Sequence, residues 1–138
     1  MRLVVDTNIL FSFFRENPVR KIIIEAQAFG VDLFTPEYAF SEIGEIKSEI
    51  IKYAKISNTD FTFLFGLLRG LVKTIPLIYF EELRIEAENV SPDLKDAPFF
   101  ALALTLSAWI WSNEPKLKNQ DKIKIFSTRD LRVFLGLI

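Results

Sequence analysis

Residues 1–8 read Met1-Arg2-Leu3-Val4-Val5-Asp6-Thr7-Asn8. The aliphatic and β-branched run from Leu3 to Val5 predicts a short buried strand, and it stops abruptly at three polar residues. Open α/β sheets place their ligands beyond the carboxyl ends of central strands. Asp6 is therefore a carboxylate set where chemistry is done. Left bare there, it asks for a cation or a proton.

Working outward, the chain alternates strands and helices. Asn8–Phe14 predicts a short apolar helix. Pro18–Phe29 predicts a second, with Asn17 as its cap, Pro18 at the first helical position and Gly30 as its stop. Val31–Phe34 is a brief second strand. Thr35-Pro36-Glu37 reads as cap, first-position proline and first-turn acid of a long helix reaching about Lys55. Ile43, Ile46, Ile50 and Tyr53 form its apolar stripe. Asn58-Thr59-Asp60 opens a helix over Phe61–Leu71, and Val72–Ile75 is a third strand. Phe80–Asn89 is an acidic helix and Ala97–Leu106 a buried one. Trp109–Trp111 and Lys122–Phe126 are the last strands, and Arg129–Leu135 a terminal helix. This order predicts a parallel sheet covered by helices on both faces.

Composition removes whole classes of chemistry. There is no Cys and no His among the 138 residues. Disulfides, thiolate sites, imidazole zinc sites and histidine acid–base work are all excluded. A metal here must be held by oxygen, which favours magnesium or manganese. No Gly-rich phosphate loop is present. Seventeen bases against eighteen acids leave a formal charge of −1, so no global basic field recruits nucleic acid. The stretch from Lys116 to Arg132 is locally basic, holding Lys116, Lys118, Lys122, Lys124, Arg129 and Arg132 against Asp121 and Asp130; such a run is commonly a solvated face. The longest apolar stretch, Ala97–Trp111, falls short of the roughly 20 residues a bilayer requires. With no signal-peptide layout at the start, a soluble cytoplasmic chain forming one domain over residues 1–138 is expected.

Four acids stand out. Asp6 follows the first strand, although Asp, Thr and Asn also cap helices, and capping alone explains it as well as metal binding does. Glu42 borders the buried stripe of its helix, on the line of Ala39 and Ile46, with Glu45 and Glu49 as competitors. Asp96 precedes the most apolar helix, where it could equally cap, and Asp93 is its rival. Glu114 follows the fourth strand within Ser112-Asn113-Glu114, which is otherwise an exit turn before Pro115. Parallel topology brings such positions to one rim. Carboxylates gathered there repel one another, and a divalent cation removes that penalty. Such a site can activate water for phosphoryl displacement.

This ordered set resembles the PIN-domain ribonuclease family: Asp6 with Thr7 and Asn8, then Pro36 and Glu42, then Asp96 with Ala101 and Ala103, then Trp111-Ser112-Asn113-Glu114. The resemblance spans nearly the whole chain and implies a three-layer α/β/α sandwich around a central parallel sheet. It implies that Asp6, Glu42 and Asp96 are catalytic metal ligands and that Asn8 and Ser112 orient ligands or the attacking water. Glu114 stands where the family usually has Asp, and its extra methylene would lengthen the contact. The implied activity is Mg2+- or Mn2+-dependent cleavage of single-stranded RNA. A toxin of the VapC type, homodimeric and held by a small antitoxin, is the implied setting. The alternative is a catalytically weak or inactive PIN-like binding or scaffold protein. Two other classes with an acid after the first strand fit less well. Haloacid dehalogenase relatives need a second Asp where Asn8 stands, and receiver domains need an acid pair that Val5 interrupts.

Overall fold

A computed structural model describes all 138 residues. Five parallel strands form one sheet in the order β3-β2-β1-β4-β5, namely Lys73–Ile75, Asp32–Pro36, Arg2–Val5, Trp109–Trp111 and Ile125–Phe126. β1 is central. Leu3 and Val4 lie opposite Leu33 and Phe34 of β2, and Trp109 and Ile110 of β4.

The first strand explains the layering. Successive side chains of a strand point to opposite faces, and Leu3, Val4 and Val5 are all fully buried. Leu3 and Val5 join a core cluster of 22 residues. It draws on α1 (Thr7–Ser12), α2 (Pro18–Glu25), α3 (Glu37–Glu45), α4 (Lys47–Ala54), α5 (Asn58–Leu71) and α8 (Thr128–Phe134). Val4 joins a second cluster of 14, with α6 (Arg84–Val90) and α7 (Ala97–Leu106). One strand thus carries both sides of an α/β/α sandwich, as the sequence led us to expect. No helix is long and apolar enough to cross a membrane.

Several elements depart from the sequence reading. Thr35 is not a helix cap. It belongs to β2, fully buried, with Oγ1 donating to the Val5 carbonyl at 2.8 Å. Pro36 is the reason: a residue before proline is kept out of the helical region, so Thr35 stays extended. Pro36 itself then takes the cap position, without a side-chain bond, and α3 starts at Glu37. The expected long helix turns a corner at Ile46, whose φ of −100° and ψ of 23° separate α3 from α4. Gly44, the weakest helix former of that run, sits just before it. The corner lets Ile43 and Ile50 both reach full burial. β5 is shorter than Lys122–Phe126, because Gln120 claims the backbone amides of Lys122 and Ile123.

Candidate functional site

The carboxyl ends of β1 and β4 are fastened before any functional side chain is considered. The Asp6 amide donates to the Trp111 carbonyl at 3.2 Å, while Thr35 holds the Val5 carbonyl from the other side. Asp6 therefore emerges from a fixed backbone.

Its side chain serves two purposes. Oδ1 accepts from the Ile9 amide at 2.9 Å, capping α1, so the capping reading of Asp6 holds. The same carboxylate, 6 % exposed, also lines a cleft of about 360 Å³ with Asn8, Tyr38, Glu42, Lys95 and Asp96. Burial pushes the Asp6 carboxyl up to about 6, and the charge of Asp96 adds to this. The Ser112 hydroxyl and the Ile9 and Asn8 amides act in the opposite direction.

Asp96 ends a tight turn, Leu94–Asp96, directly before α7. Its side chain caps nothing, unlike that of its rival. Asp93 is bound to the Lys116 ammonium at 2.7 Å and accepts from the Lys95 amide at 3.0 Å. Those two bonds hold the Asp93 carboxyl below its ordinary value. Partial burial raises the half-buried Asp96, with the charges of Asp93 and Glu114 adding and Lys116 and Lys95 opposing. Neither Asp6 nor Asp96 has an ion pair with any base.

Glu42 projects from α3 into the cleft, whereas Glu45 and Glu49 do not line it. Burial raises its carboxyl somewhat, with Glu45 second. Glu114 lies on the other flank. It joins Asp6, Asn8, Asp96 and Lys116 around an adjoining hollow of about 130 Å³. The structure thus places Asp6, Asn8 and Asp96 on the shared wall, with Glu42 on one side and Glu114 on the other. Ser112, 1 % exposed, accepts from the Glu114 amide at 3.1 Å, so the exit-turn reading is also correct.

No three of these acids converge as a preformed metal-binding cluster. The donor chemistry nevertheless suits a hard divalent cation. Every available donor is oxygen, and two mutually repelling carboxylates have no ion-pair partner. Replacing solvent protons on such groups with a metal removes both the repulsion and the burial cost.

Sequence reasoning overlooked Tyr38 and Lys95. Tyr38 sits one turn before Glu42 on α3, and that spacing was the available signal. Burial pushes its hydroxyl up, aided by the charges of Glu42 and Asp96, so it remains a protonated donor. Phe99 of α7 braces its ring at 6.0 Å. Lys95 carries no comparable signal beyond being next to Asp96. The basic stretch Lys116–Arg132, meanwhile, is not one surface. Lys116 stands at the acidic rim, Lys118, Lys122 and Lys124 surround a separate cavity, and Arg132 lines a third beside Lys21. The fold scatters it because β5 runs through its middle.

Comparison with known proteins bears on the fold and the family. Among solved structures, a chain of the crystal structure of VapBC2 from Rickettsia felis bound to a DNA fragment from their promoter superposes with a TM-score of 0.63. It is 16 % identical, and the match covers 92 % of this chain and 98 % of that one, a likeness of fold alone. No curated protein sequence matches. A family model described as PIN domain matches residues 4–133, a span that includes Asp6, Glu42, Asp96 and Glu114. By that match the chain belongs to the PIN domain family.

Proposed function

We propose that this chain is an endoribonuclease that cleaves single-stranded RNA with a bound Mg2+ or Mn2+ ion. The observation that carries the reading is the Asp6–Asp96 pair: two carboxylates raised by burial, unpaired with any base, at the carboxyl edge of the sheet. A bound divalent cation supplies charge neutralisation and Lewis acidity at such a pair. Asp6 and Asp96 would hold it, Glu42 and Glu114 reaching in from opposite flanks. Asn8 and Ser112 keep the donors oriented, Ser112 by acting on the Asp6 carboxyl. The Tyr38 hydroxyl, still protonated, is a donor available to a phosphate oxygen.

The wider setting belongs to the same reading. Membership in the PIN family and the VapBC2 likeness support a toxin held by a small antitoxin, acting in the cytoplasm as a homodimer of single-domain chains. Leu77, Ile78, Tyr79 and Ile85 leave more than half of their surface exposed, apolar area suited to such contacts.

The test is cleavage of single-stranded RNA with Mn2+ by the wild type and by Asp6→Asn, with folding of both followed by circular dichroism. The reading requires a folded, inactive variant. Metal-dependent cleavage by the variant would overturn it. A second reading, a PIN-like binding or scaffold protein without catalysis, is favoured by one observation: no three acids are preassembled. Calorimetry separates the two, since a scaffold shows no Mn2+ site that Asp96→Asn removes.

A further inference from the structure

The opposite end of β4 presents a different surface. Trp109 opens that strand with 39 % of its area exposed, an aromatic face the core has not absorbed. The ring is not loose. Phe126 packs against it at 5.4 Å and Phe134 meets it edge-on at 6.4 Å. Beside it opens a cavity of about 600 Å³ whose wall carries Lys118, Lys122 and Lys124 together with Asp121 and Asp130.

These charges are not equivalent. Asp130 is bound to the Lys118 ammonium and to the Ser127 amide, so that pair is internally neutral. Lys122 and Lys124 enter no ion pair, although the Lys124 ammonium lies over the Phe126 ring, 5.3 Å from its centroid. The loop bearing Lys122 is held by one side chain. Gln120 Nε2 donates to the Leu117 and Ile123 carbonyls at 3.0 and 2.7 Å, while its Oε1 accepts from the Lys122 and Ile123 amides at 2.9 Å each. Two ammonium groups without a carboxylate partner thus flank a braced aromatic face on backbone that is already fixed.

The acidic cleft gives this surface a purpose. Asp6, Glu42 and Asp96 face a polyanion there against Lys95, with Lys116 at the adjoining rim already paired to Asp93, so acids outnumber bases and the cleft does not attract nucleic acid. Phosphate contacts supply most of the affinity for nucleic acid, and single strands are held by cations combined with aromatic stacking. At the amino end of β4 both come without an excess of carboxylates, whereas at its carboxyl end Tyr38, Phe99 and Lys95 stand among three acids. The two ends are roughly 7 Å apart along the strand.

We propose that Trp109, Lys122 and Lys124 form a second binding site for single-stranded nucleic acid, in which a base stacks on the indole and the ammonium groups take flanking phosphates. The site anchors the strand that the acidic cleft cuts, and in that respect it rests on the nuclease reading. Its measurement does not.

Tryptophan fluorescence is the test. Trp111, the other tryptophan, is fully buried with Nε1 bonded to Thr128, so quenching by a ligand in solution reports Trp109. Oligouridine is titrated into the wild type in chelator, where no cleavage occurs, and again with rising sodium chloride. The proposal expects saturable quenching that weakens with salt, and a rise in Kd of about tenfold or more in the Lys122→Glu/Lys124→Glu double variant. With metal present, the same variant should cleave long RNA with raised KM and unchanged kcat. Absence of quenching, equal binding by the double variant, or quenching by polyglutamate but not by RNA would each overturn it. Quenching without cleavage removes the nuclease reading and leaves this site standing. Cleavage without quenching does the reverse.

Discussion

Two sets of aspartates in this chain are treated in opposite ways. Asp93 and Asp130 each accept an ammonium and a backbone amide, and each is held below the ordinary carboxylate value, Asp130 at about 2. Asp6 and Asp96 have no base of their own and are raised, Asp6 to about 6. Asp93 and Asp96 are only three residues apart, on one turn. The fold can neutralise an acid wherever a lysine is near, and it does so at positions that secure turns and helix ends. The cleft acids are left without that relief, and buried charge without a partner is costly. The difference between the sets, more than any single residue, is the ground for proposing a cation at the cleft.

The sharpest way to break the comparison is to exchange the sets in activity. Asp96→Asn should lower RNA cleavage about 10³-fold, roughly 4 kcal/mol of transition-state stabilisation, while Asp93→Asn stays within about threefold of wild type. Equal losses would show that pairing does not separate functional from structural acids.

The next effect concerns pH. Asp6 takes up its proton more readily folded than unfolded, so between about pH 4 and pH 6 the folded chain binds more protons. Its contribution to stability is therefore lost as pH rises through that window and is absent at neutral pH. The loss is about 3 kcal/mol for a carboxyl raised from its ordinary value to about 6. Denaturation curves at both pH values should show the metal-free wild type falling relative to Asp6→Asn, which keeps a capping side chain. A constant difference between them would remove the burial argument.

Thr35→Val probes what positions the pair. It deletes the donor to the buried Val5 carbonyl and should cost about 2 kcal/mol by thermal unfolding. A smaller effect belongs to the structural set. Ser127→Ala removes one half of the capping box that opens α8 and should cost about 1 kcal/mol with cleavage unchanged.

The fold was legible because Leu3–Val5 and Ala97–Leu104 are unbroken apolar runs, a pattern that fits elements packed into the core. The polar punctuation was read less well, for a physical reason. Asp, Thr and Ser act on backbone and on ligands alike. Asp6 caps and lines the cleft, Ser112 closes a turn and acts on Asp6, and Thr35 looked like a cap yet bonds a strand carbonyl. Placement before the most apolar helix favoured Asp96 over Asp93, but the pairing that sets Asp93 apart comes from Lys116, more than twenty residues away, and no local spacing carries that information. The corner at Ile46 is likewise set by the fit of Ile43 and Ile50 into the core.

The most direct measurement of the central claim is calorimetric titration of Mn2+ into the wild type, Asp96→Asn and Asp93→Asn. One site in the wild type, lost in Asp96→Asn and kept in Asp93→Asn, is the expected result. Binding that survives in Asp96→Asn, or that disappears equally in Asp93→Asn, would contradict it.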